Sequence, residues 1–324
     1  SITMNSLNTS LYQPDVLGSN YEQMTLNFAD DYNGKVVATL VRKKAAQPTK
    51  KAVLYIHGFT DYFFQTEMAD QFNQHGYDFY ALDLRKYGRS KLPHQTLYYV
   101  RDLREYDAEI TKSLQIIGQE QHDQVLLAGH STGGLITTLY AAHYPNHPLI
   151  KALWANSPFY DFYKSIIEKK LGIPLLGKVG KYCPNIKFPS GLNPWYVPSL
   201  HKTFNGEWDF NLDWKPKSMP FVQLCFVHAI REGQKEIHKG VQLNIPMLMM
   251  HSHQSKFPKK WGLDAQQSDV ILDVKDMTHH AKRIKGDVQT VSIQNGLHDL
   301  VLSAPPVRQK VYQDLFAWLE QKFN

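Results

Sequence analysis

Cysteine is nearly absent, with Cys183 and Cys225 the only two in 324 residues. Two thiols make no disulfide framework, so both are expected to be free and stability must come from an apolar core. There is also no apolar run of about 18 residues, and hence no candidate for a membrane-spanning helix. The first residues, Ser1 to Tyr12, are polar and lack the basic-then-apolar layout of a secretory signal. A cytoplasmic protein is the expectation, although a signal removed ahead of Ser1 would leave the same beginning. Positive charge is in excess, with a formal net charge of +6 and a pI near 9.0. The lysines are nevertheless scattered, and no basic block carries interleaved aromatics, so no nucleic-acid partner is expected. Internal repeats and low-complexity stretches are missing too.

What is present is the composition of a globular protein, 43% hydrophobic and 20% charged. The length allows one large domain with an insertion, or two domains. Residues 21–28 and 35–42 alternate apolar and polar around Asp31-Tyr32-Asn33-Gly34, which predicts an antiparallel hairpin at a sheet edge. Buried strands are predicted at Ala52–Ile56, Tyr77–Leu82, Val125–Gly129, Ile150–Ala155, Pro246–Met250 and Val288–Ile293. Helical patterns lie between and after them, at Met68–Phe72, Val100–Ile117, 273–285 and 306–322. Strand alternating with helix predicts an α/β fold, a mostly parallel central sheet with helices on both faces. Functional residues should then stand at the C-terminal ends of the strands, where His57, Asp83, Ser131 and His298 fall.

One stretch carries a chemical signature. Val125 to Ala128 reads as strand, Gly129-His130-Ser131-Thr132-Gly133 follows, and a helical pattern begins by Leu135 and Ile136. A serine between glycines at a strand-to-helix turn is a nucleophile elbow: the backbone is forced towards positive φ and the hydroxyl is lifted clear of the sheet. The new helix N-terminus aims free N–H groups beside it. A serine needs a base to take its proton and a third group to orient that base. His298, in Gly296-Leu297-His298-Asp299 after the last strand, is placed for the base. In the order serine, acid, histidine, the acid should follow Pro246–Met250, but the residues there are His251-Ser252-His253-Gln254-Ser255, with no carboxylate. Asp264, Asp269, Asp273 and Asp276 stand downstream. His251-x-His253 and His279-His280 lack the ligand set of a zinc site, and no metal or cofactor is expected.

These motifs resemble the α/β-hydrolases of the monoacylglycerol lipase and lysophospholipase-like group, over about 51–156 and 245–322. His57-Gly58-Phe59 is similar to the family's His-Gly motif. Asp83-x-Arg85-x-x-Gly88-Arg89-Ser90 resembles its Asp-x-Arg-Gly-x-Gly-x-Ser loop, except that Lys86 stands where the first glycine would. The elbow and the His298 loop match closely. The acid motif departs, with Gln254 at the usual position. Asp269-Val270-Ile271-Leu272-Asp273 resembles its later part, displaced by an insertion from Gln254 to Ser268. The resemblance therefore implies a triad of Ser131, Asp269 and His298, with Asp273 as a helix N-cap. It also implies an oxyanion hole from the backbone N–H groups of Phe59 and Thr132. Arg85 and Arg89 are expected in structural salt bridges with Asp83.

The core is expected to span 1–156 and 245–324, with 157–244 inserted as a helical cap, because a structureless loop of that length is implausible. Phe159, Phe162, Trp195, Trp208, Trp214, Phe221 and Phe226 would hold this insertion together or wall an apolar pocket. Its lysine-rich segment 164–181 reads as packed aliphatics with solvated lysines, or alternatively as a peripheral membrane contact. The function implied is a serine hydrolase of acyl esters, such as a monoglyceride, a lysophospholipid or a simple ester. Two rival readings stand beside it. One is a peptidase or amidase holding a substrate amine on Glu207, Asp209 or Asp213. The other is a ligand-binding protein with a dead site, which a missing acid at Gln254 would suit.

Overall fold

A computed structural model of the chain describes residues 11–163, 187–189, 192–218 and 221–323. Its frame is a nine-stranded sheet. Strands β1 (Gln13–Pro14), β2 (Glu22–Asp31), β3 (Gly34–Lys43), β4 (Lys51–Ile56), β5 (Asp78–Asp83), β6 (Gln124–His130), β7 (Ile150–Asn156), β8 (Met247–Ser252) and β9 (Val288–Ile293) lie in the order β1-β2-β3-β5-β4-β6-β7-β8-β9. The first three pair antiparallel, β3 pairs antiparallel with β5, and from β5 onward all pairing is parallel. The predicted hairpin is β2–β3, with Tyr32 and Asn33 as its turn and a register shift between Phe28 and Asp31.

Helices cover both faces: α1 (Thr66–Gln74), α2 (Asp107–Gln119), α3 (Thr132–His143), α4 (Leu224–Lys239), α5 (Val274–Ala281) and α6 (Pro305–Lys322). Because successive strand side chains point to opposite faces, each inner strand feeds two cores. Leu54, Leu127 and Ile56 join Ile110, Leu114 and Leu135 on one face. Val53, Tyr55, Leu126 and Trp154 join Phe72, Leu315 and Trp318 on the other. This two-sided burial is why the strands read as nearly continuous apolar runs.

Two expectations shift. The helix predicted over 273–285 ends at Ala281, and Ile284–Lys285 instead pairs in parallel with Val241–Gln242. Asp273 is its N-cap, accepting from Lys275 N–H at 2.9 Å. The helical stripe from Val100 opens with a 3₁₀ turn, Leu103–Tyr106, held by a capping box between Asp102 and Glu105, before α2 begins. Of 157–244, the described residues hold the sixteen-residue α4, a single turn at Tyr196–Leu200 and a short antiparallel pair, Lys187–Pro189 with Phe221–Gln223. The segment 164–181 and Cys183 lie outside the described residues. Cys225 is a free, buried thiol.

The loop after β5 explains the lysine that departs from the resembled motif. Lys86 has φ +70°, the left-handed region where glycine is the easy choice. Its side chain is fully buried and its Nζ donates to Asp31 Oδ2 and to Tyr99 O, both at 2.7 Å. The ammonium also stands 4.8 Å from the centre of the Tyr32 ring. Burial pulls the Lys86 ammonium below the ordinary lysine value, and Asp31 offsets only part of this. The lysine thus ties the loop to the edge hairpin. Arg89 bridges Asp83 (3.1 Å) and Asp15 (2.8 Å), as a structural role requires. Arg85 does not follow the expectation: its partner is Glu109 at 2.8 Å, because α2 presents that carboxylate to the loop from below.

Replacing Lys86 by glycine sets two effects against each other. Relief of the left-handed backbone is worth roughly 1 kcal/mol. Leaving Asp31 without its partner in a nearly buried site costs roughly 3–5 kcal/mol. Lys86→Gly should therefore lower the free energy of unfolding by about 3 kcal/mol in a urea titration, whereas a gain in stability would show the lysine to be a tolerated accident.

Candidate active site

Strand β6 runs between β4 and β7 at the centre of the sheet and delivers Ser131 at its C-terminal end. Ser131 sits at φ +56°, ψ −116°, a conformation that a side chain adopts only when its surroundings impose it. They do. Its N–H donates to Asn156 O at 3.0 Å, and its carbonyl accepts from Gly134 (2.9 Å), Leu135 (3.1 Å) and Phe159 (2.9 Å). The glycines on either side are needed for close approach. A Cβ on Gly129 would come within 2.2 Å of Gly133 O, and one on Gly133 within 2.2 Å of Ile56 O.

Downstream of β8 the chain passes Gln254, loops out and returns at Asp269. Asp269 is completely buried. Its Oδ1 accepts from the N–H groups of Ile271 (2.8 Å) and Leu272 (2.9 Å), and its Oδ2 meets His298 Nδ1 at 2.8 Å. A carboxylate so held keeps the imidazole with its proton on Nδ1 and leaves Nε2 with its lone pair available. Gln254 stands next to this pair without joining it. Its carbonyl accepts from Asp269 N–H at 3.0 Å, and its side chain donates to Ser268 Oγ at 3.0 Å. Asp264 is exposed at the start of a one-turn helix, and Asp273 caps α5. Of the downstream carboxylates, Asp269 is the one brought to His298.

A second buried carboxylate, which sequence reasoning did not single out, holds the histidine loop. Asp299 accepts from Gln65 Nε2 and from Asn156 Nδ2, each at 3.0 Å, and its own N–H donates to the Tyr196 hydroxyl at 3.2 Å. Gln65 precedes α1 and Asn156 ends β7, so nothing near Asp299 in the chain announces its partners. The His130 ring lies 4.7 Å from that of His298. Burial holds the His130 imidazole below its ordinary value, so it is neutral and donates from Nδ1 to Asn156 O at 3.0 Å.

Phe59 and Thr132 line the same cavity as Ser131. Thr132 is the first residue of α3, where a helix leaves N–H groups free of internal partners. The preceding turn is set by His57, whose Nε2 accepts from Leu84 N–H at 3.0 Å while Nδ1 donates to Gly58 O at 2.7 Å. Gly58 N–H in turn donates to Asp61 Oδ2 at 3.2 Å. The other oxygen of Asp61 pairs with Lys215 Nζ at 3.1 Å, and both side chains are almost wholly buried. Burial alone would raise the Asp61 carboxyl; the Lys215 ammonium, with smaller contributions from His130, His57 and the Tyr62 N–H, outweighs it and holds the carboxyl below the usual carboxylate range.

Ser131 and His298 line one cavity of about 380 Å³. Phe59, Phe159, Phe162, Phe226, Ile230 and Leu272 are among its apolar lining residues, and Asp61, Asn193 and Lys215 among its polar ones. The aromatic residues of 157–244 therefore divide. Phe159, Phe162 and Phe226 face the cavity. Trp208 donates to Leu302 O at 2.8 Å, Trp214 packs edge-on to Tyr62, and Phe221 is half exposed.

The first histidine pair is engaged by the backbone. His251 meets Ser252 O, and His253 accepts from Asn295 N–H. Asp161, His238 and His280 approach one another. Asp161 pairs with Arg231 at 2.9 Å through one oxygen and meets His280 Nε2 at 3.0 Å through the other, and the His238 and His280 rings stack with centres 3.7 Å apart.

The family model described as serine aminopeptidase, S33 matches residues 47–302. Among curated proteins, a probable lysophospholipase, BODYGUARD 4 of Arabidopsis thaliana, is 26% identical over 226 residues, 66% of this chain and 46% of that protein. Epoxide hydrolase 4 of Mus musculus is 30% identical over 124 residues, 38% of this chain and 33% of that protein. The matches thus span less than half the length of these relatives. A solved soluble variant of monoglyceride lipase from Saccharomyces cerevisiae, bound to a substrate analog, superposes with a TM-score of 0.72 at 18% identity, covering 97% of this chain and 99% of that one. The monoacylglycerol lipase of Paleococcus ferrophilus gives 0.65 at 17% identity, covering 86% and 98%. At such identities the likeness is one of fold, the α/β-hydrolase fold.

The Asp61–Lys215 pair yields a test with a definite sign. In the wild type the lowered carboxyl adds stability above its unfolded value near pH 4, which is lost as pH falls through the folded value. Lys215→Met removes the largest contribution that opposes burial and so raises the same carboxyl. The stability difference between the two proteins should then be small in acid and grow towards neutrality, reaching about 3 kcal/mol in denaturant titrations at a series of pH values. A difference independent of pH would mean that Asp61 does not feel Lys215.

Proposed function

The chain belongs to the serine aminopeptidase S33 family of α/β hydrolases, and from that membership we propose a serine hydrolase of acyl esters that works through an acyl-enzyme on Ser131. One observation carries the reading: His298, paired with Asp269 at 2.8 Å, lines the same cavity as Ser131, which is held at φ +56°. In the proposed cycle Ser131 Oγ attacks the ester carbonyl carbon while His298 Nε2 takes its proton. The oxyanion that forms is met by the N–H groups of Phe59 and Thr132, each worth about 3 kcal/mol in comparable sites. The carbonyl re-forms, the alcohol leaves with the proton from His298, and a water deprotonated by the same nitrogen releases the acid. Asp269 orients the imidazole and offsets its charge.

Residues 157–244 are the proposed cap between core segments 1–156 and 245–324. The apolar lining suits an acyl chain and the few polar lining residues a small head group, which supports a monoglyceride, a lysophospholipid or a simple ester as substrate. The probable lysophospholipase and the two monoglyceride lipases named above support the same classes, whereas the name of epoxide hydrolase 4 does not. A dead site is disfavoured by the Asp269–His298 contact, since the acid absent at Gln254 is supplied from beyond the loop. For a peptidase, a free carboxylate would be wanted at the cavity to receive an amine. Glu207 pairs with Arg308 and Asp209 with Lys202, and neither they nor Asp213 stand among the described lining residues. Asp61 does line it but is already neutralised by Lys215. Among the described residues no helix is long and apolar enough to cross a membrane.

Ser131→Ala should abolish both fluorophosphonate labelling and hydrolysis of a panel of p-nitrophenyl esters while leaving the melting curve unchanged. Asp269→Asn should lower turnover by about 10⁴-fold, with Gln254→Ala and Asp264→Asn close to the wild type. Labelling that survives Ser131→Ala would sink the mechanism, and a larger loss at Asp264 or Gln254 would move the acid.

A further inference from the structure

The insertion that displaces the acid is itself an exposed structure with a consistent chemistry. Residues 254–269 form a loop pinched at its neck, where Asp269 N–H donates to Gln254 O and Lys256 N–H donates to Asp269 O, both at 3.0 Å. Ser255 Oγ locks the neck further, donating to Leu272 O and accepting from Val274 N–H. The far side is anchored by buried Ala265 and by Gln266 Nε2, which donates to Asn205 O at 2.8 Å. Between these anchors the tip is turned outward. Lys256, Lys259 and Lys260 are exposed, and so are two large apolar side chains, Trp261 at 38% and Leu263 at 68%. Three lysines stand against a single carboxylate, Asp264, within 254–268.

Phe257 in the same loop stacks on Tyr163 with ring centres 3.4 Å apart, and Tyr163 lines the cavity that holds Ser131 and His298. The tip therefore stands beside the cavity wall. We propose that the tip 256–264 docks the protein on an anionic lipid bilayer, with Trp261 and Leu263 entering the interface and Lys256, Lys259 and Lys260 meeting the head groups. Tryptophan and lysine are suited to that boundary, the ring amphipathic and the lysine stem able to lie along apolar surface while its charge stays in water. A protein partner fits less well, because lysine is depleted at the centre of protein interfaces and the apolar residues here alternate with charges instead of making a continuous patch. The inference rests on the acyl-ester reading only for its use, since a docked tip would bring the cavity to lipid substrates. The docking itself requires no catalysis.

The test uses the full chain carrying Ser131→Ala, sedimented with vesicles of phosphatidylcholine alone or mixed with phosphatidylserine. Binding should favour the anionic vesicles and weaken as salt is raised. Lys259→Gln with Lys260→Gln should lower affinity for anionic vesicles about 30-fold, at about fivefold per lysine. Trp261→Ala with Leu263→Ala should lower vesicle binding while leaving the melting curve intact and, in the otherwise wild-type chain, hydrolysis of a short soluble ester unchanged. Equal binding to both vesicle types, no binding to either, or loop variants that bind as the parent does would overturn the proposal. The last result would assign the contact to another surface. Failure of the esterase reading would show separately, as a wild type that takes no fluorophosphonate label.

Discussion

Ser131 is held in a backbone conformation that a lone side chain avoids, and much of the molecule is arranged to keep it there. A residue at φ +56° costs of order 1–3 kcal/mol unless its neighbours over-determine it. The central position of β6 supplies part of that constraint, since Gly129 is in register with Ile56 on one side and Ala155 on the other. Contact at the glycines supplies the rest, because the new helix is drawn so near the sheet that no Cβ fits at Gly129 or Gly133. Three donors on the Ser131 carbonyl leave no hydrogen-bonding reason for the turn to relax. Strain in the turn and position in the sheet are thus one constraint, and α3, β4 and β7 all serve it.

The groups facing the serine are held by buried charge rather than by local structure. Asp61 takes Gly58 N–H with one oxygen and Lys215 with the other, so a lysine of the proposed cap steadies the turn that carries Gly58 and Phe59. Asp299 does the corresponding work for the histidine loop through Gln65 and Asn156. Asp269 gives one oxygen to two backbone amides and the other to His298. A buried carboxylate is costly unless every lone pair is used, and an arrangement that satisfies it leaves little freedom to its partners. Each of these three acids therefore acts as a fixed point. The same logic explains Lys86, which replaces a glycine only because Asp31 and the Tyr99 carbonyl receive its ammonium.

The loop from Gln254 to Asp269 joins two roles in one segment. Its neck places the acid beside His298, and its tip exposes tryptophan, leucine and lysine. The neck is closed by its own backbone bonds and by the side chain of Ser255.

Local pattern made much of this legible in the chain. The strands, the edge hairpin, the elbow at Ser131 and the N-cap at Asp273 all depend on residues a few positions apart, where alternation, glycine placement and capping chemistry speak directly. The pairing of His298 with Asp269 was legible only through the displaced motif beyond Gln254. Other features were not legible. Arg85 turned to Glu109 rather than Asp83, the helix ended at Ala281, and the aromatics of 157–244 divided between cavity and core. Lys215 reaches Asp61 across 154 positions, and Gln65 and Asn156 reach Asp299 across 234 and 143. Sequence by itself determined the elements and the reactive residue types, because those follow from near neighbours. Tertiary structure alone decided which buried charge meets which partner, because that choice depends on elements brought together only when the sheet closes its two cores.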